Sequence, residues 1–211
     1  MKKNIPSSFP FFFLFLTLLI VSACQKTNAK KLPILGEKEK VDGKVIGYHE
    51  ISDFQFVDQD SQIVNNATFK DKIYVVEFFF TSCKTICPKV AQQMLRIHDR
   101  FKDHDEVVLL AHTIDPKRDT VGRLKWYAEK LGIQNADKWH FVTGDKEKLY
   151  DMADEYFIVA KEDADADGGF DHSPTIILVD KNRRVRSFCN GTDPQAVDLF
   201  MEDIETLLHE K

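Results

Sequence analysis

Cysteine is scarce in this chain, with four among 211 residues. Cys24 ends an N-terminal apolar run, Cys83 and Cys87 sit four positions apart, and Cys189 stands alone. One close pair with two distant single residues cannot staple a fold, which excludes a disulfide framework. Basic runs with interleaved aromatics are missing as well. The balance of 29 Lys and Arg against 34 Asp and Glu gives a formal charge of −5, so nucleic acid is not expected as a partner. Beyond Val21 no apolar segment is long enough to span a bilayer, and no internal repeat is apparent.

What is present begins with "MKKNIPSSFPFFFLFLTLLIVSAC". Two lysines, an apolar core from Phe9 to Val21 and a small-residue ending have the layout of a signal peptide over residues 1–23. The ending resembles a bacterial lipobox. That resemblance implies lipidation at Cys24 and an exported lipoprotein, anchored to a membrane and facing the periplasm. An uncleaved anchor and a soluble secreted form are the alternatives. Residues 24–45 are polar and lysine-rich and are expected to be a flexible tether. Residues 46–211 are long enough for one domain with a real core.

The element pattern along that domain alternates. Two short runs flank the turn-like "DQDS" and predict a hairpin. "KIYVVEFFF" is a continuous run of β-formers and predicts a strand covered on both faces. Val90, Met94, Ile97 and Phe101 recur at helical spacing, and Pro88 is tolerated only in a first turn. The helix therefore begins between the two cysteines. "EVVLLAHTID" and "WHFVTG" predict strands, each followed by a helix. "KEDADADGGFDH" predicts an acidic loop, "SPTIILVDKNRRVRSF" two strands around a turn, and residues 194 to about 209 a closing helix. A dithiol at the first strand-to-helix junction of such a chain points to a thioredoxin-like α/β fold, a central mixed sheet flanked by helices, with an N-terminal β-hairpin.

The chemistry concentrates in "TSCKTICPKV". A cysteine at a helix N-terminus faces unpaired N–H groups and the positive dipole end, which favour thiolate over thiol. Residues i and i+4 share a helix face, so Cys83 and Cys87 can aim two sulfurs at one point. A disulfide between them is equally open to such a pair. A third ligand is expected from "FDHSPTIILVD". In thioredoxin-like folds the residues before this strand pack on the dithiol loop through a cis proline, a place that Ser173–Pro174 fits, and this brings His172 toward the sulfurs. Two thiolates and an imidazole make a soft site suited to copper.

With "FFFTSCKTICPKV", "TIDPKRDTVGRLKWYAEKLGI", "DHS" before an apolar strand and "GTDPQAVDLFMEDIETLL" on the page, the chain resembles the Sco/SenC family from about residue 48 to 208. These are copper-binding thioredoxin-fold proteins that serve assembly of the CuA centre of cytochrome c oxidase. The resemblance implies Cu(I) or Cu(II) held by Cys83, Cys87 and His172, with the CuA-bearing oxidase subunit as partner. It also implies supporting roles for Asp115 and Asp119 of the D-P-x-x-D element, to which Asp171 is added beside the histidine. Lys84, Thr85 and Ile86 stand where many members have Pro-Asp-Val. The alternative is an extracytoplasmic thiol–disulfide oxidoreductase with Cys83 and Cys87 as its redox pair. A monomer is expected.

Other candidates carry bland readings. Asp163, Asp165, Asp167, Gly168 and Asp171 match the first nine positions of a calcium-binding loop, but Pro174 stands where the bidentate Glu must be. Cys189 reads as a small half-buried residue, and His112 as a polar residue at a strand end. His49, His98, His104, His140 and His209 are expected on the surface.

Overall fold

A computed structural model describes residues 31–210 of the chain. The signal-peptide, lipidation and early tether assignments, Cys24 included, lie outside the described residues. Eleven strands and four helices are described. Strand β5 (Ile73–Phe79) is buried along its whole length, as its unbroken run of β-formers predicts. It pairs in parallel with β6 (Val107–Thr113), which pairs in parallel with β7 (Trp139–Thr143). On one side β10 (Thr175–Val179) adds antiparallel to β5 and carries β11 (Val185–Asn190) at the edge. On the other side, β3 (Gln55–Asp58) joins β7 antiparallel and carries β4 (Ile63–Asn65). The result is a seven-stranded mixed sheet in the order β11-β10-β5-β6-β7-β3-β4. The β3–β4 pair is the hairpin foreseen around "DQDS".

Helix α1 (Cys87–Phe101) buries Val90, Met94, Ile97 and Phe101. Helix α2 (Val121–Lys130) is capped by the Thr120 hydroxyl, and α3 (Lys146–Glu155) by the Asp145 carboxylate. Helix α4 (Pro194–His209) is capped by Asp193. Each of these caps satisfies N–H groups that a helix start leaves unpaired. Helix α4 packs on β5, β11 and α1, and α2 packs on β7 and β3. The loops after β5 and β6, and the N-termini of α1 and α2, therefore lie together at the carboxyl end of the parallel strands. Open α/β sheets place their ligand crevices at that end.

Two regions differ from the sequence expectation. Residues 31–45, read as tether, include an ordered ribbon of β1 (Lys38–Val41) with β2 (Lys44–Tyr48). Ahead of it, Leu32 is buried and Leu35 N–H bonds Val185 O. The buried Arg186 holds this entry, donating to the carbonyls of Leu32 and Pro33 and to the carboxylates of Asp180 and Glu210. Polar composition hid this docking, because the anchor is a backbone carbonyl pair met by a distant arginine. Second, "KEDADADGGFDH" is not merely a loop. It holds β8 (Ala160–Glu162) and β9 (Phe170–His172), an antiparallel ribbon outside the main sheet.

Candidate metal centre

The loop from β5 to α1 carries both cysteines. Ile86 is the N-cap of α1 and offers no side-chain hydrogen bond. The Cys87 N–H instead points at Cys83 Sγ, 3.4 Å away, so an unpaired helix donor is spent on a sulfur, as expected of this position. Both thiols are nearly buried and free, with no disulfide between them.

His172 arrives from β9, where it pairs with Ala160. Its Nε2 lies 3.4 Å from Cys87 Sγ and 3.8 Å from Cys83 Sγ. Its Nδ1 lies 3.4 Å from the Phe170 carbonyl. A proton on Nδ1 donated to that carbonyl leaves the Nε2 lone pair facing the sulfurs, the tautomer a metal ligand requires. Phe80 holds the imidazole edge-on, with ring centroids 5.0 Å apart.

Gly168 makes this closure fit. Its φ is +79°, and a Cβ there would stand 2.7 Å from Phe80 Cε2. Only glycine combines this backbone with this approach. The residue that read as the turn of a calcium loop thus seats the ribbon on Phe80. Among the described residues, Asp163, Asp165 and Asp171 form no cation site of three ligands. Asp165 N–H caps Asp163 Oδ1, and the exposed Asp171 pairs with Lys161 at 3.5 Å. Among the described residues, only Cys83, Cys87 and His172 form a cluster of three metal-ligating side chains, all ligand atoms lying within 4.8 Å of one another.

The two thiols are electrostatically unequal. A hydrogen bond from Cys87 holds the Cys83 thiol down, to about 3, with the backbone N–H groups of Cys87 and Thr85 adding to it against the burial that opposes it. The same bond and burial push the Cys87 thiol far up. Cys83 is the thiolate of the pair and Cys87 keeps the proton. Lys84 is exposed and is not among the main causes.

The expected cis bond at Ser173–Pro174 is a correction. Among the described residues no peptide bond is cis. Pro174 instead extends the β10–β11 ladder, its carbonyl accepting Gly191 N–H at 2.7 Å, and extended backbone alone delivers His172. The D-P-x-x-D aspartates do not touch the cluster. Asp119 is fully buried and ties the cysteine loop to the end of β6. Its carboxylate accepts from Thr81 N–H at 3.0 Å, from the Thr81 hydroxyl, and from the Thr113 hydroxyl at 2.6 Å. Burial raises its carboxyl above the usual range against those bonds. Asp115 pairs with Arg118 at 3.0 Å.

Several histidines and one acid lie elsewhere than expected. His112 is fully buried, with neither ring nitrogen bonded, stacked on Phe78 at 5.0 Å. Desolvation takes its imidazole down to about 3. His140 is half-buried with Nδ1 2.9 Å from Asp58, and His49 and His98 are half-buried too. Cys189 is half-buried on β11. Glu77, inside the apolar run of β5, is buried and was missed altogether. The lone charge in "IYVVEFFF" was the available signal.

A mixed sheet with a dithiol at its first strand-to-helix junction and a histidine delivered from a side ribbon defines a thioredoxin-like protein with a Cys-Cys-His cluster. The family model described as SCO1/SenC matches residues 46–209, and the chain belongs to that family. An SCO2-like protein of Rickettsia conorii is 28% identical over 192 residues, covering 88% of this chain and 87% of the relative. The structure of Bradyrhizobium japonicum ScoI with copper bound shares 25% identity and a TM-score of 0.56, covering 72% of this chain and 96% of that one. A SCO1/SenC family lipoprotein from Bacillus anthracis has the same fold, with a TM-score of 0.69 and 23% identity over 76% of this chain and 95% of that one.

Proposed function

We propose that this protein is a copper carrier that serves assembly of the CuA site of cytochrome c oxidase, exported and held at a membrane by lipid on Cys24. The observation that carries the copper reading is the convergence of two sulfurs and one imidazole nitrogen within 4.8 Å. Soft thiolates with an imidazole select copper, above all Cu(I), and the copper-bound relative supports the choice. The oxidase role follows from family membership, and the export and lipid anchor from the N-terminal sequence.

A second reading rests on the asymmetry of the two thiols, since the Cys87 N–H points at Cys83 Sγ, 3.4 Å away, and favours the thiolate there. A thiolate at Cys83 beside a protonated Cys87 suits thiol–disulfide exchange. Cys83 attacks a client disulfide, Cys87 resolves the mixed disulfide, and two electrons pass to the client as its cysteines are reduced, one proton coming from Cys87 and the other from solvent. One variant separates the readings. His172→Ala removes a ligand and leaves both sulfurs. The carrier reading expects it to lose copper affinity by tenfold or more, about the effect of losing a metal-site group, and to fail to restore oxidase activity in a deletion strain. Its rate of reducing a model disulfide should persist. Full complementation by His172→Ala would overturn the carrier reading.

A further inference from the structure

Helix α2 begins beside the cysteine loop and carries Trp126 on its exposed side, 40% exposed. Arg123 Cζ and Lys130 Nζ each lie 4.1 Å from the centroid of the Trp126 ring. Neither cation forms an ion pair among the described residues, although many of the chain's other surface cations do. Arg123 also reaches the metal loop. Its Nε donates to Thr81 Oγ1 at 2.9 Å, and Thr81 stands two residues before Cys83. That bond leaves the outer guanidinium nitrogens of Arg123 without a hydrogen bond among the described residues. Lys84, in the same loop, and Lys117, in the loop after β6, are exposed at the same end of the sheet and form no ion pair among the described residues.

A chain with net negative charge thus presents, along α2 and in the loops at its start, cations that form no ion pair among the described residues. An aromatic ring orders two of them, so less rotamer freedom remains to be lost when an anion arrives. The free edge of a guanidinium fits a carboxylate in two-pronged fashion. We propose that the Arg123–Trp126–Lys130 face of α2, with Lys84 and Lys117 beside it, docks an acidic patch on the protein that receives the metal. The inference rests on the carrier reading and adds to it where the recipient sits and what charge it shows. A carboxylate on the free outer edge of Arg123 leaves its Nε bond to Thr81 in place, which links the docked side chain to the loop bearing Cys83. A protein fits better than a lipid surface, because the chain enters the domain at Leu32 and Pro33, at the level of Arg186 and far from this rim. Val185 pairs with Val179 and Val179 with Tyr74, the start of β5, whereas the cysteine loop follows its end.

The test follows transfer of Cu(I) from the full chain to the apo CuA-bearing domain of the oxidase subunit, at low and high salt. Trp126→Ala and Lys130→Glu leave the three ligands untouched and should keep copper affinity within about twofold. Both should slow association at low salt, Lys130→Glu by about tenfold, with the difference shrinking at high salt as screening removes charge steering. Wild-type transfer with unchanged rates in both variants would overturn the docking inference and leave the carrier reading standing. A wild-type chain that neither binds nor loads the domain would remove both. Vesicles of phosphatidylglycerol in phosphatidylcholine form the last arm. Binding by wild type that is lost in Lys130→Glu would assign the patch to a membrane surface instead.

Discussion

Glu77 stands at the middle of β5, 3% exposed, opposite Ala111 of β6. Burial pushes its carboxyl from 4.5 up to about 8, with no donor or cation to offset the loss of water. A group whose folded pKa is raised binds its proton more tightly in the folded chain. Its contribution to stability is complete below the unfolded value and is lost as pH rises through the folded one. Each pH unit inside that window is worth about 1.4 kcal/mol, so between about pH 5 and pH 8 the folded state should lose roughly 3 to 4 kcal/mol to this carboxyl. Glu77→Gln keeps the shape and abolishes the titration. Any fixed packing difference between acid and amide cancels when the two stability curves are subtracted, and only the pH-dependent part remains. Urea denaturation of the reduced wild type and variant across this range should show the variant gaining on wild type steadily with pH. Thermal melts should show the same trend, with a growth in the gap on the order of 10 °C for a domain of this length. Parallel curves would mean that Glu77 is hydrated or partnered, and the reasoning would fail.

Two further expectations follow from buried groups around the site. His112→Phe replaces an imidazole with two unsatisfied nitrogens by a ring suited to its aromatic cage, and should stabilise the domain by about 1–2 kcal/mol at neutral pH. Because burial depresses the His112 pKa to about 3 from 6.5, wild-type stability should fall as pH drops below 6.5, and the variant's acid limb should be flatter in denaturant titrations. Gly168→Ala should cost about 1–2 kcal/mol for its left-handed backbone and displace Phe80 from beneath His172. Chelator competition should then report Cu(I) affinity weakened by roughly tenfold with both thiols still reactive; unchanged affinity would show that Gly168 has no part in seating the ligand.

The legible parts of the chain were those where periodicity and chemistry coincide. The buried run of β5, the Val90-Met94-Ile97-Phe101 stripe and the Pro88 start of α1 each follow from a local rule, and together they put two thiols at a strand-to-helix junction. His172 was expected because the residues before this strand pack on the dithiol loop in thioredoxin-like folds, and its Nε2 lies 3.4 Å from Cys87 Sγ. What escaped was non-local. The docking of Leu32 and Pro33 depends on Arg186, more than a hundred positions away. His140 and His49 face partners, Asp58 and Glu155, contributed by other segments. Gly168 looked like a cation-loop turn because only the folded chain brings Phe80 beneath it. The cis bond expected at Pro174 was a feature of the fold at large, and the extended backbone here did without it.

The three candidate donors belong to different mechanical units. Cys83 and Cys87 sit in the loop and first turn after β5, where Asp119 braces Thr81, whereas His172 ends a ribbon of three registered pairs, two residues before Pro174 joins the main sheet. Grip on an ion is then set by how closely two bodies approach, and not by the strength of any single bond. An incoming thiol can take the imidazole's place by parting the ribbon from the frame, while both sulfurs keep hold. Under the proposed carrier role, the ion would change owners through an overlap of ligands without being set free in solution. If the proposed carrier role holds, a chain built this way would bind tightly and still let go on contact.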